Sequence, residues 1–377
     1  MREGSHMSQP LPTPRIRDGE TASGMSRRRI LTGLSCASLV SLVPGCGQIS
    51  LPFGGEARGA GRSEKSALLL PLSGASAPLG QRLQIAATLG GGPGIGIDII
   101  DSGSTPETAV AAAKRAVDGG ARMIVGPVFS AQAQAVADAV RVPVVTLSND
   151  ESLAGGGTYV LGVTPTQSTR AILSIAAQRN LRNVAVVVPP GAFGERSAAA
   201  AESVGRTLGL SMRPALVKSN ADGLLDALRA GGQLPDAVYL PAADGTLLPF
   251  AQALRGQGMQ LLGSTQWSAL DLSDRPAFRG AWYAAPDPLR FAAFDEAYTQ
   301  AAGSAGGIIS GLAFDGVELL RVLGQTGQLS AKGLTRQEGF TGVVGPYRFL
   351  KSGLCERGLG VVSIADGEFN LIGSTSV

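Results

Sequence analysis

Short runs of Val, Ile and Leu alternate along this chain with longer stretches whose apolar positions recur three and four residues apart. The first period suits buried strands and the second suits helices packed on them. From Ser66 onward the pattern predicts strands over 67–70, 95–100, 123–125 and 142–147, with helices over 80–89, 106–117 and 131–140 between them. A second series follows, with helices over 170–179, 195–208, 223–228 and 247–254 and strands over 184–188, 237–240 and 261–263. Helices over 291–302 and 308–323 come next. Repeated strand–helix units with short connections imply a parallel, doubly wound α/β sheet in each of two lobes. Residues 159–165 and 281–288 read as crossovers between the lobes. The tail from Phe340 reads as short strands with a hairpin turn at Asp366-Gly367.

Punctuation supports these elements. Thr105 can cap the 106–117 helix, Pro106 occupies its first position, Glu107 faces the positive end of its dipole, and Gly119-Gly120 ends it. The most informative stretch is Met123-Ile124-Val125-Gly126-Pro127-Val128-Phe129-Ser130 with the strand that ends on Ser148-Asn149. In a parallel sheet the carboxyl ends of neighbouring strands and the helix start between them converge on one crevice, where free N–H groups can hold an anion.

The first ~60 residues differ in composition, with Pro, Arg and Ser dominating ahead of an apolar stretch, and residues 1–46 have the profile of an export signal. Ser26-Arg27-Arg28-Arg29-Ile30-Leu31-Thr32 resembles the twin-arginine export signal, and Val43-Pro44-Gly45-Cys46 resembles a bacterial lipobox. That implies an envelope location in the periplasm with a membrane anchor at lipidated Cys46. Residues 47–65 read as a flexible tether. Of the chain's 32 basic and 29 acidic side chains, residues 1–46 hold six and three, which leaves 26 of each beyond them. A neutral remainder has no electrostatic footprint for nucleic acid. Only Cys355 follows Cys46, so no disulfide is expected within the remainder.

Catalytic patterns are not found. The single histidine is His6, in the leader, which excludes a Ser-His-Asp triad, a His-ligated metal and a zinc protease from the rest of the chain. No metal site or cofactor is expected. The Gly90 to Gly96 run precedes a strand, whereas a dinucleotide fingerprint follows one. Asp98 and Asp101, three apart on one strand, point to opposite faces and do not form an acid–base pair.

Taken in order, Leu70-Pro71-Leu72-Ser73-Gly74, the Gly126-Pro127-Val128-Phe129-Ser130 turn, Val142-Pro143-Val144-Val145 with Ser148-Asn149, and Phe314-Asp315-Gly316-Val317 resemble the type 1 periplasmic solute-binding family, its Leu/Ile/Val-binding branch. The resemblance covers roughly residues 66–373. Ser148-Asn149-Asp150, Leu161-Gly162-Val163-Thr164-Pro165 and Leu261-Leu262-Gly263 through Trp267 look like its penicillin-binding-protein activator subgroup. The family implies a two-lobed fold, with lobe 1 over 66–163 plus 286–339 and lobe 2 over 164–285 plus 340–377. It implies a non-enzymatic protein that binds a small ligand, amino-acid-like or cell-wall-derived, between the lobes, with an ABC permease as partner. The subgroup implies instead contact with a penicillin-binding protein and regulation of peptidoglycan synthesis. Where amino-acid binders of the family place an acid to meet the ligand's ammonium, this chain has Ser264-Thr265-Gln266-Trp267. Candidate ligand contacts are Ser73, Phe129, Ser130, Ser148 and Asn149 on the first lobe. Phe193, Asp244 and Trp267 are the candidates on the second.

Overall fold

The structure is a computed structural model that describes residues 64–91, 96–230, 232–365 and 367–377. The export signal, the Cys46 lipobox and the tether up to residue 63 lie outside the described residues.

The first lobe is built on five parallel strands: β1 (Ser66–Leu70), β2 (Ile97–Asp101), β3 (Ile124–Val125), β4 (Val144–Thr146) and β5 (Thr158–Val160), in the spatial order β2-β1-β3-β4-β5. Alternation along β1 divides the core. Ala67 and Leu69 face α2 (Pro106–Asp118) and α3 (Ser130–Ala139), whose Ala109, Ala112, Ala113 and Val136 are buried with them. Leu68 and Leu70 face α1 (Ala77–Leu89) and the long helix α9 (Gly307–Gln325), sharing their cluster with Leu83, Phe314 and Val317. Small alanines let α2 lie close to the sheet, and the Thr105–Thr108 capping box with Pro106 fixes where it starts.

The second lobe carries an eight-stranded mixed sheet. Parallel strands β6 (Asn183–Val188), β7 (Ser211–Met212), β8 (Leu216–Val217), β9 (Ala237–Leu240), β10 (Gln260–Gly263) and β11 (Trp282–Ala285) are joined by antiparallel β14 (Gly360–Ala365) and β15 (Glu368–Ser374). α4 (Pro165–Gln178) and α5 (Ala192–Thr207) cover one face. α6 (Leu224–Arg229) and α7 (Leu247–Leu254) cover the other, over a core of Val187, Val238, Leu240, Phe250 and Trp267.

The chain crosses between lobes three times: after β5, between β11 and α8 (Pro288–Ala302), and between β13 (Cys355–Arg357) and β14. Two stretches expected to be plain crossovers begin as strands: 158–160 forms the first sheet's edge and 282–285 a central strand of the second. The expectation that everything from Phe340 belongs to the second lobe does not hold for its first part. The hairpin of β12 (Tyr347–Phe349) and β13 lies against the first lobe, where Val160 N donates to Gly353 O at 2.9 Å and the Tyr159 and Phe349 rings meet edge-on at 5.6 Å. Only β14 and β15 return. α10 (Ala331–Leu334) precedes the hairpin.

Arg357, fully buried, ties the first and third crossings together. It donates from Nη2 to Leu161 O at 2.9 Å, lies 4.9 Å over the Tyr347 ring, and faces Asp315 with Nη1 at 3.7 Å from Oδ2. Asp315 in turn accepts from the amides of Val343 and Val344.

Candidate functional site

The turn between β3 and α3 is set by Gly126. Its φ of +88° suits a residue without a side chain, and a Cβ there would sit 2.3 Å from Leu69 O. The following residues are held from the next strand, because Thr146 Oγ1 donates to Pro127 O at 2.8 Å and Ser148 N donates to Thr146 Oγ1 at 3.1 Å. This brings Ser130, first residue of α3, to Ser148, with their hydroxyl oxygens 2.8 Å apart. Phe129 at the N-cap offers no side-chain acceptor, so the first amides of α3 are left facing outward with the positive end of the helix dipole.

Opposite, the strand β10 ends at Gly263 and the chain winds through a short 3-10 turn, Thr265–Ala269. Trp267 pins that turn to the lobe: it is fully buried, its Nε1 donates to Leu240 O at 2.9 Å, and its ring meets Phe278 edge-on at 5.3 Å. Gly263 makes the room, since a Cβ there would overlap the indole at 2.2 Å. With Trp267 turned inward, Thr265, Gln266, Ser268 and Ala269 are the residues that reach the space between the lobes.

That space is a cavity of about 650 Å³, within the usual range for small-molecule sites. Val128, Phe129, Ser130, Leu147, Ser148 and Asn149 form its first-lobe wall. The α8–α9 loop with the first turns of α9, from Ala305 to Leu312, and Arg82 of α1 close another side. Arg82 is held there by a bond from Nη2 to Gly306 O at 3.0 Å. Next to the cavity a recess of about 10 Å³, lined by Phe193, Asn149, Ser197, Tyr239 and Thr265, leads into the second lobe.

The sequence-predicted residues thus divide. Phe129, Ser130, Ser148 and Asn149 come together on one wall, and Phe193 lines only the small recess. Trp267 is a correction: it touches core, not cavity, because its indole N–H finds a strand-end carbonyl and its ring finds Phe278 and Tyr283. Asp244 is also a correction. It is exposed, lies outside the cavity lining, and accepts from Thr246 N at 2.9 Å in its own turn. Ser73 is likewise exposed outside the lining, at the start of the turn before α1. It hydrogen-bonds Asp101, whose carboxyl burial pushes up but the bonds from Ser73, Gly103 and Leu72 hold below the ordinary value. Sequence reasoning missed Arg82, Gln266, Ser268 and the 305–309 loop. No local motif marks Arg82, which reads as one exposed basic residue on a helix.

Among the described residues Arg82 is the only charged one lining the cavity, and no carboxylate lies within ion-pair distance of it. Asp150 sits beside the hydroxyl pair but is engaged elsewhere. Burial raises its pKa, yet hydrogen bonds from Ser152, the charge of Arg196 and a bond from Ser130 together hold it below the ordinary value. Its Oδ2 lies 3.3 Å from Nη1 of Arg196, on α5 of the other lobe. No cluster of three metal-ligating side chains occurs among the described residues, and no described helix is long and apolar enough to cross a membrane.

The family model for a periplasmic binding protein matches residues 65–367. No curated protein matches the chain. Among solved structures, one assigned to a branched-chain amino acid ABC transporter of Rhodospirillum rubrum is 20% identical with a TM-score of 0.72, covering 82% of this chain and 100% of that one. A solute binding protein of an R. palustris ABC transporter, in complex with benzoate, is 18% identical with a TM-score of 0.59, covering 83% and 96%. The C-domain of LpoA from Haemophilus influenzae, a regulator of PBP1A, is 16% identical with a TM-score of 0.66, covering 82% and 100%. At such identities the likeness is one of fold.

Proposed function

Because the chain belongs to the periplasmic binding protein family, we propose that it is a solute-binding component of an ABC importer, enclosing one small ligand between its lobes. The observation that carries this is the cavity of about 650 Å³ to which both lobes contribute, with Ser130, Ser148 and the start of α3 on one wall and Thr265, Gln266 and Ser268 on the other. In this reading the ligand's anionic group rests on the uncapped amides of α3, where the helix dipole favours negative charge, and the Ser130 hydroxyl turns to it from Asp150. Closure of the second lobe then expels water from the contact. Delivery to a permease would occur in the periplasm, with the protein exported through the twin-arginine route and tethered through Cys46. No catalytic step belongs to the proposal.

The runner-up is a regulator of peptidoglycan synthesis acting by protein contact, as the LpoA likeness would have it. The fold serves either role. The roomy, hydroxyl-lined cavity favours the first, since a protein that acts only through its outer surface has no need of it.

Thermal unfolding with and without candidate solutes separates the two. A ligand at 100 times its Kd adds about 2.7 kcal/mol of stability. Ser130→Ala is expected to weaken a carboxylate ligand by about tenfold or more, the worth of a hydrogen bond to a charged group. If no amino acid, organic acid or muropeptide shifts the transition while a penicillin-binding protein is retained on the immobilised chain, the importer reading is wrong.

A further inference from the structure

The cavity's charge pattern names a class of ligand, an inference that rests on the solute-binding reading just given. Among the described residues one cation lines it, Arg82, and no Asp or Glu does. The remaining walls alternate hydroxyls and amides with apolar surface from Val128, Phe129, Leu147, Ile308 and Leu312. The two acids on flanking segments are turned to protein partners: Asp150 to Arg196, and Asp295 to the Gly306 amide at 3.1 Å.

An α-amino acid entering this space would have its carboxylate satisfied, by the α3 amides or by Arg82, but its ammonium would leave water with no anion to meet it. A buried charge without a partner is strongly disfavoured. A carboxylic acid with a compact branched or aromatic body and no amino group has no such difficulty. Its one charge meets the one cation, and its carbon skeleton covers Phe129, Leu147 and Ile308. We infer that this chain takes up apolar monocarboxylates and rejects the corresponding α-amino acids, with Arg82 as the ligand's counter-ion. Arg82 is positioned for this by its bond to Gly306 O, which brings α1 and the α8–α9 loop to the same rim.

Isothermal titration of the full chain with two matched pairs tests it: 4-methylpentanoate against leucine, and 3-phenylpropanoate against phenylalanine. Each acid is expected to bind at least tenfold more tightly than its amino counterpart. Arg82→Gln is expected to weaken both acids about tenfold or more and to leave the ligand-free chain folded with a single cooperative transition, its midpoint lowered only by the loss of the bond to Gly306 O. If leucine or phenylalanine binds as well as its acid, the class is wrong and the solute-binding reading stands. If the acids bind equally to wild type and Arg82→Gln, the counter-ion assignment is wrong. If neither acids nor amino acids bind, this inference is wrong, and the wider thermal-unfolding panel with the penicillin-binding-protein capture decides the solute-binding reading.

Discussion

Replacing Arg357 by Met keeps most of the side-chain volume and removes a charge from the point where two of the three crossings meet. Two carbonyls lose a donor, Leu161 O at 2.9 Å and Gly345 O at 3.4 Å. Both are buried, and an unsatisfied carbonyl costs about 1 kcal/mol or more. Asp315 loses the cation beside it while keeping the Val343 amide at 2.7 Å. Its carboxyl is already pushed up to about 6, burial outweighing the charge of Arg357 and the two amide bonds. Without Arg357 the carboxyl moves higher still. Because the folded value exceeds the unfolded one, the group's contribution to stability is greatest in acid and falls as pH rises toward the folded value. In wild type that fall ends near pH 6, whereas in the variant it continues above it.

The penalty of Arg357→Met should therefore depend on pH. At pH 5 Asp315 is largely protonated in both folded proteins, and about 2 kcal/mol remains for the orphaned carbonyls. At pH 8 wild type is ionised and the variant must either hold a lone buried charge or pay for protonation, which brings the loss to about 3–5 kcal/mol. Tyr347 and Cys355 adjoin the pair, but burial pushes both up, so neither titrates in this window. Urea unfolding followed by tryptophan fluorescence and by circular dichroism at pH 5 and 8 measures the difference. The double variant with Asp315→Asn should show one penalty at both values. A single-variant penalty that is equal at pH 5 and 8, or below 1 kcal/mol at pH 8, would refute the reasoning.

Two further outcomes follow from the site geometry. Trp267→Phe removes the indole bond to Leu240 O and leaves space beside Gly263; it should lower stability by about 1–3 kcal/mol in urea unfolding while shifting the Kd of a cleft ligand less than threefold, and a larger loss of affinity with little loss of stability would return Trp267 to the site. Arg196→Met breaks an ion pair that joins the lobes across partly exposed side chains; affinity should fall about two- to fivefold at low salt, as expected for about 0.5–1 kcal/mol, and the gap should close near 0.5 M NaCl, so a salt-independent effect would argue against a latch.

How much of this was legible in the sequence follows from the range over which each interaction acts. Helix α2 could be read to its ends because Thr105, Pro106 and Gly119 act within one turn of the residues they control. The β3–α3–β4 unit was legible for the same reason, and it delivered the wall that carries Ser130 and Ser148. Polar residues at strand ends were less reliable guides. Asp244 and Ser73 found partners in or beside their own turns, and nothing in a sequence tells a turn's own hydroxyl or carboxyl from one that faces a ligand. Trp267 misled differently, since an aromatic after a strand suits a cleft or a core equally, and the choice depended on Gly263 and Leu240 O. The strands 158–160 and 282–285 looked like connectors because each follows one complete strand–helix series, although both are held in sheets by register with their neighbours.

The parts that decide what the cavity accepts were the least legible. Arg82 reaches Gly306 across a separation of 224 residues, so its place in the site depends on α1 and α9 packing on one face of the first sheet. The acid nearest the hydroxyl pair along the chain, Asp150, would suggest an ammonium partner if read locally. Its own turn engages Oδ1 through the Ser152 amide and hydroxyl, and Arg196 from the other lobe engages Oδ2. Selectivity in such a fold is set where segments remote in sequence meet. Two chains with the same turn after β3 can thus share a carboxylate-ready wall and differ in whether an amino group is welcome, and a change at Arg82 or Arg196 would alter the ligand class without touching any residue of the turn.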